Sequence, residues 1–329
     1  MTYRLLSKAH LALVISSFSL LLSSGSGHAN DASAMLEAGG IRLVENHAIS
    51  LDYEDLYISP AEIRIHYEFS NKTDSDQTML VAFPVPEVDA DPEANYGSQN
   101  IDPVDFLDFS VRANSVEVKP DLEIRLVMHG IDYTDELLAM GVPEHRFAPN
   151  YYQQLDALSE ETKLALAAKG LIDYTAGDGF FFAKWKIKAT YSWTQTFPAR
   201  STTVLEHSYH PVLGGGIFSV QYSVDPVAER FCIDQSFRKG LERKVAQSGR
   251  DEMLSDEVRY ILRTANTWLG PIGEFRLVID KMKPENLISL CIGDIQKIAP
   301  TQFEFKATNY TPDQDLDILV VRPPDWDTN

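Results

Sequence analysis

Apolar and polar residues alternate with a period of two along most of this chain. Ile63, Ile65, Tyr67 and Phe69 fall on one side of an extended backbone and Arg64, His66 and Glu68 on the other, before Ser70-Asn71 supplies a turn. The longest run is Phe181–Trp193, where Phe181, Ala183, Trp185, Ile187, Ala189, Tyr191 and Trp193 alternate with Phe182, Lys184, Lys186, Lys188, Thr190 and Ser192. Successive side chains of a strand point to opposite faces, so Trp185, Tyr191 and Trp193 are expected in a sandwich core and the three lysines in water. Ile49–Tyr53, Met79–Phe83, Phe109–Val111, Leu122–Met128, Thr203–Tyr209, Phe218–Val224, Phe275–Ile279, Phe303–Ala307 and Leu316–Val320 read the same way. Short strands punctuated by turn residues imply a mainly β protein made of antiparallel β-sandwich units.

Helical signal is local. Leu155, Leu158, Leu164 and Ala168, set among good helix formers and followed by Gly170, predict a helix over 153–169. Thr134 with Leu137 and Leu138 opens a shorter one, and Phe237–Ala246 suggests another. Val258–Thr264 follows the helix-start residues Ser255-Asp256-Glu257, yet alternates at Val258, Tyr260 and Leu262 and is read as a strand. Gly214-Gly215-Gly216 is read as a flexible hairpin turn. There is no Gly/Ser linker and no repeat of 20–50 residues. The expected division is a β-sandwich unit at 30–225 with a helical insertion near 134–172, then a second β-rich unit at 226–329; one continuous domain over 30–329 is the alternative.

The chain opens with Arg4 and Lys8, an apolar stretch from Leu11 to Leu22, and small residues in Gly27-His28-Ala29. That order is the pattern of an export signal over residues 1–29, cut after Ala29, and the apolar stretch is shorter than the ~20 residues that span a bilayer. No later window approaches such a span, so a soluble exported protein, periplasmic or secreted, is expected. Removing the leader subtracts Arg4 and Lys8 and no acidic residue, which takes the formal charge from −19 to −21. A surface this acidic repels polyanions, and nucleic acid is excluded as an expected partner. Two cysteines, Cys232 and Cys291, fit neither a Cys-x-x-Cys redox pair nor a zinc ribbon. In an oxidising compartment they are expected to form one disulfide, closing a loop of about 60 residues and contributing on the order of 4 kcal/mol.

Several segments carry a family likeness. They are Tyr53-Glu54-Asp55-Leu56-Tyr57-Ile58-Ser59, Val81-Ala82-Phe83-Pro84-Val85-Pro86, Gly130-Ile131-Asp132-Tyr133-Thr134, Thr196-Phe197-Pro198-Ala199 leading to His207-Ser208-Tyr209-His210-Pro211, Trp268-Leu269-Gly270-Pro271-Ile272, and Asn286-Leu287-Ile288-Ser289-Leu290-Cys291 with Pro300-Thr301-Gln302-Phe303. In order and spacing they resemble the exported bacterial family of unknown function numbered 4424. Ala265 departs from the pattern, which has a glycine turn before the tryptophan. The resemblance implies export and supplies no reaction, cofactor or catalytic residue. Residues 40–130 are more distantly similar to β-sandwich modules of the vault and inter-alpha-trypsin-inhibitor type, through Phe83-Pro84-Val85-Pro86.

Chemistry-bearing patterns are sparse. The mature chain has no Gly-x-Ser-x-Gly elbow and no phosphate-cradling loop, so no catalytic residue and no cofactor is assigned. His207 and His210 would share a face on a helix, but Thr202, Thr203 and Val204 argue for a strand, where they diverge, and no metal site is expected. Glu87, Asp89, Asp91, Glu93, Asp102, Asp105 and Asp108 offer oxygen ligands without the spacing of a calcium loop. Lys184, Lys186 and Lys188 form a basic stripe, a candidate binding surface for an anionic partner. The leading function class is a non-catalytic exported protein that binds an envelope protein or a surface polymer. An envelope hydrolase with paired carboxylates and a purely architectural protein remain as alternatives.

Overall fold

The alternating segments pair into two large sheets and one smaller one. The computed structural model describes residues 31–37, 40–91, 105–177 and 182–324; the expected leader lies outside them. An eight-stranded sheet runs in the order Gln296–Lys297, Gln302–Tyr310, Ile272–Asp280, Ile49–Ile58, Ile63–Asn71, Thr202–Tyr209, Ser110–Ala113 and Val116–Val118. A seven-stranded sheet orders Ile131–Asp132, Asp121–Met128, Lys186–Phe197, Gln77–Pro84, Ala32–Glu37 and Gly40–Leu43, with Val88–Asp89 pairing beside Lys186. The smaller sheet runs Gly214–Ser219, Glu252–Tyr260, Leu316–Arg322 and Leu287–Leu290. Pairing is antiparallel except where Ile272–Asp280 lies parallel to Ile49–Ile58. The protein is mainly β, with short helices as the minority.

One core joins the three sheets. Ile65, Tyr67, Phe69 and Leu205 of the eight-stranded sheet pack with Val81, Phe83, Tyr191 and Trp193 of the seven-stranded sheet and with Val258, Tyr260, Ile318 and Val320 of the smaller one. At its centre His207, wholly buried, places Nε2 2.9 Å from Asp31 Oδ2. The imidazole is ringed by Tyr67, Phe83, Phe109 and Trp193 at centroid distances of 5.4–5.5 Å. Trp268 Nε1 donates to the Asp31 carbonyl at 2.7 Å. Burial raises the Asp31 carboxyl above the ordinary aspartate range, and the His207 contact only partly opposes it.

The helical insertion has its own apolar cluster. Leu137, Tyr151, Leu155 and Leu166 pack on Leu126, Trp185 and Ile187. Trp185 therefore belongs to this cluster and not to the sandwich core that Tyr191 and Trp193 enter. The expected helix over 153–169 is two helices, Tyr151–Asp156 and Glu160–Ala168, because Ser159 turns extended and its Oγ caps Thr162 N at 3.1 Å. The expected strand Phe181–Trp193 is also interrupted: Phe182–Ala183 pairs with Ile172–Asp173, and the long strand begins only at Lys186. Phe181 lies outside the described residues.

Two further departures have clear causes. A bulge between Leu51 and Tyr53 resets the alternation of Ile49–Ile58, so Glu54 turns into the core and Tyr53 turns out. The extra residue, Asp52, is satisfied by Ser50 Oγ at 2.6 Å, Ser70 Oγ at 2.5 Å and Lys72 Nζ at 3.0 Å. Gly273 lies against it, and a Cβ there would stand 2.5 Å from the Asp52 carbonyl oxygen. The run read as a strand over 258–264 instead ends a strand, Glu252–Tyr260, and enters a 3₁₀ turn, Arg263–Thr267. Asp315 Oδ1 accepts from Leu262 N and Arg263 N at 3.0 and 3.1 Å and fixes that turn.

The boundary expected near Asp225-Pro226 falls inside a short helix, Val224–Val227. Beyond it the chain supplies Ile272–Asp280, Gln296–Lys297 and Gln302–Tyr310 to the eight-stranded sheet, so both sides of the boundary share a sheet and the main core. A third cluster, including Phe218, Phe231, Phe237, Leu241 and Leu319, lies under the helix Gln235–Ser248.

Removing one partner of a buried hydrogen-bonded pair leaves the other unsatisfied, at a cost of about 1–3 kcal/mol. Asp31→Ala is expected to lose that much stability in urea unfolding at neutral pH. A loss below about 1 kcal/mol, the range of an exposed pair, would show that His207 does not need its partner.

Candidate functional site

The segment read as a hairpin turn is a strand. Gly214-Gly215-Gly216 begins Gly214–Ser219, the outermost strand of the smaller sheet, and the turn follows it, leading into Val224–Val227. Glycine is required by contact as well as conformation. Gly215 has φ +109°, and a Cβ on it would stand 2.2 Å from the Ser255 carbonyl oxygen on the neighbouring strand. No strand of the described residues pairs with the outer side of Gly214–Ser219.

This edge lines an open cleft of about 780 Å³. Lys186 and Asp89, cross-strand partners in the seven-stranded sheet, also line it, with Lys186 Nζ 3.9 Å from Asp89 Oδ1. Arg230 bridges two strands of the smaller sheet, with Nη1 2.8 Å from Glu257 Oε2 and Nη2 2.6 Å from Asp317 Oδ1. Burial disfavours its charge, but these two carboxylates outweigh that and hold the guanidinium above the ordinary arginine range. Arg259 donates to the Glu87 carbonyl. The lining thus carries three cations and three carboxylates, and each carboxylate stands beside a basic side chain.

Among the described residues that line the cleft there is no imidazole and no thiol. Ser223 Oγ accepts from Ser219 N, and Ser255 Oγ stands at 3.3 Å from Gly216 N, so neither hydroxyl is paired with a base. Glycoside hydrolysis needs a carboxylic acid held protonated opposite a second carboxylate. Here Glu257 and Asp317 both bind one arginine, Arg230.

Lys184 pairs with Asp173 near the two-stranded sheet, Lys186 enters the cleft, and Lys188 stands opposite Arg125 in the sheet register. Cys232 and Cys291 are bonded to each other beside a different open cleft, of about 670 Å³. His207 is in the core, while His210 is partly exposed with Nδ1 3.8 Å from Asp108 Oδ2. Of the acidic stretch, Glu93 and Asp102 lie outside the described residues. Asp105 accepts from Tyr191 Oη at 2.6 Å and from Phe109 N at 3.0 Å. Among the described residues no three His, Cys, Asp or Glu side chains converge as metal ligands.

A second polar surface covers the outer face of the eight-stranded sheet, with an open cleft of about 490 Å³. One register row places Lys306, Arg276, Asp55, His66, Glu206 and Arg112 on six successive strands. Arg276 is clasped by Glu304 at 2.8 Å and Asp55 at 2.9 Å. Alternation marks these residues as outward-facing except Asp55, which the bulge at Asp52 turns out, and only the register shows that they form a line. Arg230, Glu257 and Asp317 had no distinguishing sequence signal at all.

The chain belongs to the family described as a domain of unknown function, DUF4424, whose family model matches residues 29–319. No curated protein matches it. Among solved structures, a candidate nutrient-binding protein from Legionella pneumophila is 14% identical, over 89% of this chain and 70% of that one, with a TM-score of 0.41. An M1 zinc metallopeptidase from Deinococcus radiodurans is 7% identical over 84% of this chain and 43% of that one, with a TM-score of 0.25. Likenesses this remote carry no argument about activity.

Gly215→Ala tests how closely the edge strand is held. The added methyl must push the strand from Ser255, at the roughly 1–3 kcal/mol that overpacking costs. Hydrogen exchange is expected to rise across Gly214–Ser219 with little change in Ile272–Asp280. Unaltered exchange at the edge would mean that the strand has room that the close approach denies.

Proposed function

We propose that this is an exported, non-catalytic binding protein that takes an extended segment of another envelope protein in the large cleft, as an added strand beside Gly214–Ser219. The observation that carries this reading is the edge strand itself. No strand of the described residues pairs with its outer side, its Ile217 is 71% exposed, and it forms a wall of the open cleft of about 780 Å³. Natural edge strands are usually blunted by charge, proline or a covering element. The stretch of this edge strand around the exposed Ile217, beside a cleft, suits strand addition, in which backbone hydrogen bonds supply affinity and flanking side chains supply selectivity. Export rests on the leader pattern, and a periplasmic address is consistent with a disulfide-bonded chain.

The paired charges support binding over hydrolysis. Arg230, Glu257 and Asp317 satisfy one another before any ligand arrives, which suits a rigid wall better than an acid–base pair. A surface polymer is the second reading, favoured by the charged row across the eight-stranded sheet, which is long and open as a polymer site would be.

Site-specific photo-crosslinking tests the first reading. A benzophenone side chain at Ile217, which is 71% exposed on the edge strand, is expected to give discrete protein adducts in cells exporting the chain. The same group at Leu164, 44% exposed on the helical insertion, is expected to give none of those adducts. Equal patterns at both positions, or no protein adduct at Ile217, would overturn strand addition at this edge.

A further inference from the structure

The Cys232–Cys291 bond is placed unlike a purely structural cross-link. Cys232 is exposed and Cys291 half-buried, and the open cleft of about 670 Å³ beside them is floored by apolar side chains including Ile292, Ile295 and Phe303. Cys232 also occupies an unusual backbone position. The helical turn ending at Phe231 closes with Ile233 N donating to the Ala228 carbonyl at 2.9 Å and Cys232 N to the Glu229 carbonyl at 3.2 Å. Those two bonds define a Schellman motif with Cys232 at C′, the left-handed site that usually takes glycine, and Cys232 has φ +51°. A cysteine there carries the steric penalty of a Cβ in left-handed backbone, which persists only while its surroundings enforce it. The same turn carries Arg230, whose guanidinium joins Glu257 to Asp317 in the larger cleft.

We propose that Cys232–Cys291 is a thiol–disulfide exchange site for an exported dithiol protein, and that its opening loosens the turn that holds Arg230. A thiolate of the dithiol attacks the Sγ of Cys232, the more exposed of the two residues. The S–S bond breaks, its electron pair leaves on Cys291 Sγ, and that thiolate takes a proton from water. The second thiolate of the partner then attacks the sulfur of its own that is joined to Cys232. This forms the partner's disulfide and releases Cys232 as a thiolate, which is protonated in turn. Two electrons and two protons pass from the dithiol to the cystine, and nothing else is consumed. Exposure is what separates exchangeable disulfides from those that survive reductant until the protein unfolds.

The bond constrains the turn that carries Arg230, while Phe231 beside it is anchored independently. Phe231 is wholly buried, and its carbonyl accepts from Ser289 Oγ at 2.9 Å. Reduction therefore leaves the third apolar cluster in place and frees Cys232 to abandon its left-handed conformation. The exchange does not depend on strand addition at Gly214–Ser219; only its effect on ligand binding does.

The test uses the oxidised mature protein with a reduced thioredoxin-type dithiol protein as the probe. Alkylation followed by mass measurement, without denaturant, is expected to label both cysteines while near-ultraviolet circular dichroism stays native. Labelling only after denaturation would overturn the exchange site. In the reduced protein, amides 228–233 are expected to exchange about tenfold faster, with Ile272–Asp280 unchanged. Two bond-free variants isolate the backbone cause. Cys232→Ser with Cys291→Ala should reproduce the fast exchange, and Cys232→Gly with Cys291→Ala should restore protection, because glycine suits C′. Fast exchange in both, or slow exchange in both, would overturn the coupling through the turn. Photo-crosslinking from Ile217 in both redox states is the separate arm. Adducts that form equally in both would remove the effect on ligand binding without touching the exchange itself, whereas absence of adducts in either state counts against strand addition.

Discussion

The buried contact between Asp31 and His207 is the constraint around which the structure closes. Asp31 precedes a strand of the seven-stranded sheet, His207 lies in the eight-stranded sheet, and Trp268 binds the Asp31 carbonyl from the segment that leads from Arg263–Thr267 into Ile272–Asp280. A single polar node thus registers three parts of the chain against one another. Such a node is a poor source of net stability, since desolvation opposes its electrostatic gain. Its value lies in direction: apolar rings tolerate many packings, whereas an imidazole nitrogen accepts few partners. The four aromatic rings around His207 surround that fixed point, and the two sheets can approach only where Asp31 meets it. This places Asp31, two residues past the expected leader, at the structural centre.

Much of the fold was legible because it depends on period-two alternation, which survives in the sequence wherever one face is buried. The strand Thr202–Tyr209 follows its pattern residue by residue, and Ile63–Asn71 does so as far as Phe69, after which Ser70 and Asn71, read as a turn, continue the strand and are buried. The failures are places where a longer-range contact decides. The pattern Ile49, Leu51, Tyr53 continues plausibly, yet the bulge at Asp52 redirects Tyr53 outward and puts Glu54 beneath the sheet. Burial first, and then that carboxyl, pushes the Tyr260 hydroxyl well above the ordinary tyrosine range. What accommodates the bulge is Gly273, more than two hundred residues away, and no local rule could link the two.

The candidate site was legible in pieces only. Lys186, the acidic run and the glycine triplet each stood out by composition, but they were read as a stripe, a loop and a turn. The structure places Lys186, Asp89 and Gly214–Gly216 around one cleft, and the pairing of Val88–Asp89 with the start of Lys186–Phe197 is what brings the first two together. Arg230 gave no signal because an isolated arginine before a helix is ordinary. Its importance comes from two carboxylates that approach it from strands on either side of a sheet pairing, Glu257 and Asp317. The cysteines were legible as a pair by count and compartment, but the Schellman turn around Cys232 was not, since glycine is the residue that advertises such a turn.

The two clefts flank one short stretch of chain. Between Val227 and Asp234 the backbone passes from the larger cleft, through Arg230, to the disulfide and the smaller cleft. The anchors along it differ in kind: ion pairs at Arg230, apolar burial at Phe231, a covalent bond at Cys232, and a helix cap at Asp234, whose Oδ1 accepts from Phe237 N at 2.7 Å. Salt weakens the first, reductant removes the third, and neither touches the second or fourth. A stretch held this way is fixed in position by Phe231 and Asp234 while its two exposed contacts respond separately to the surrounding medium.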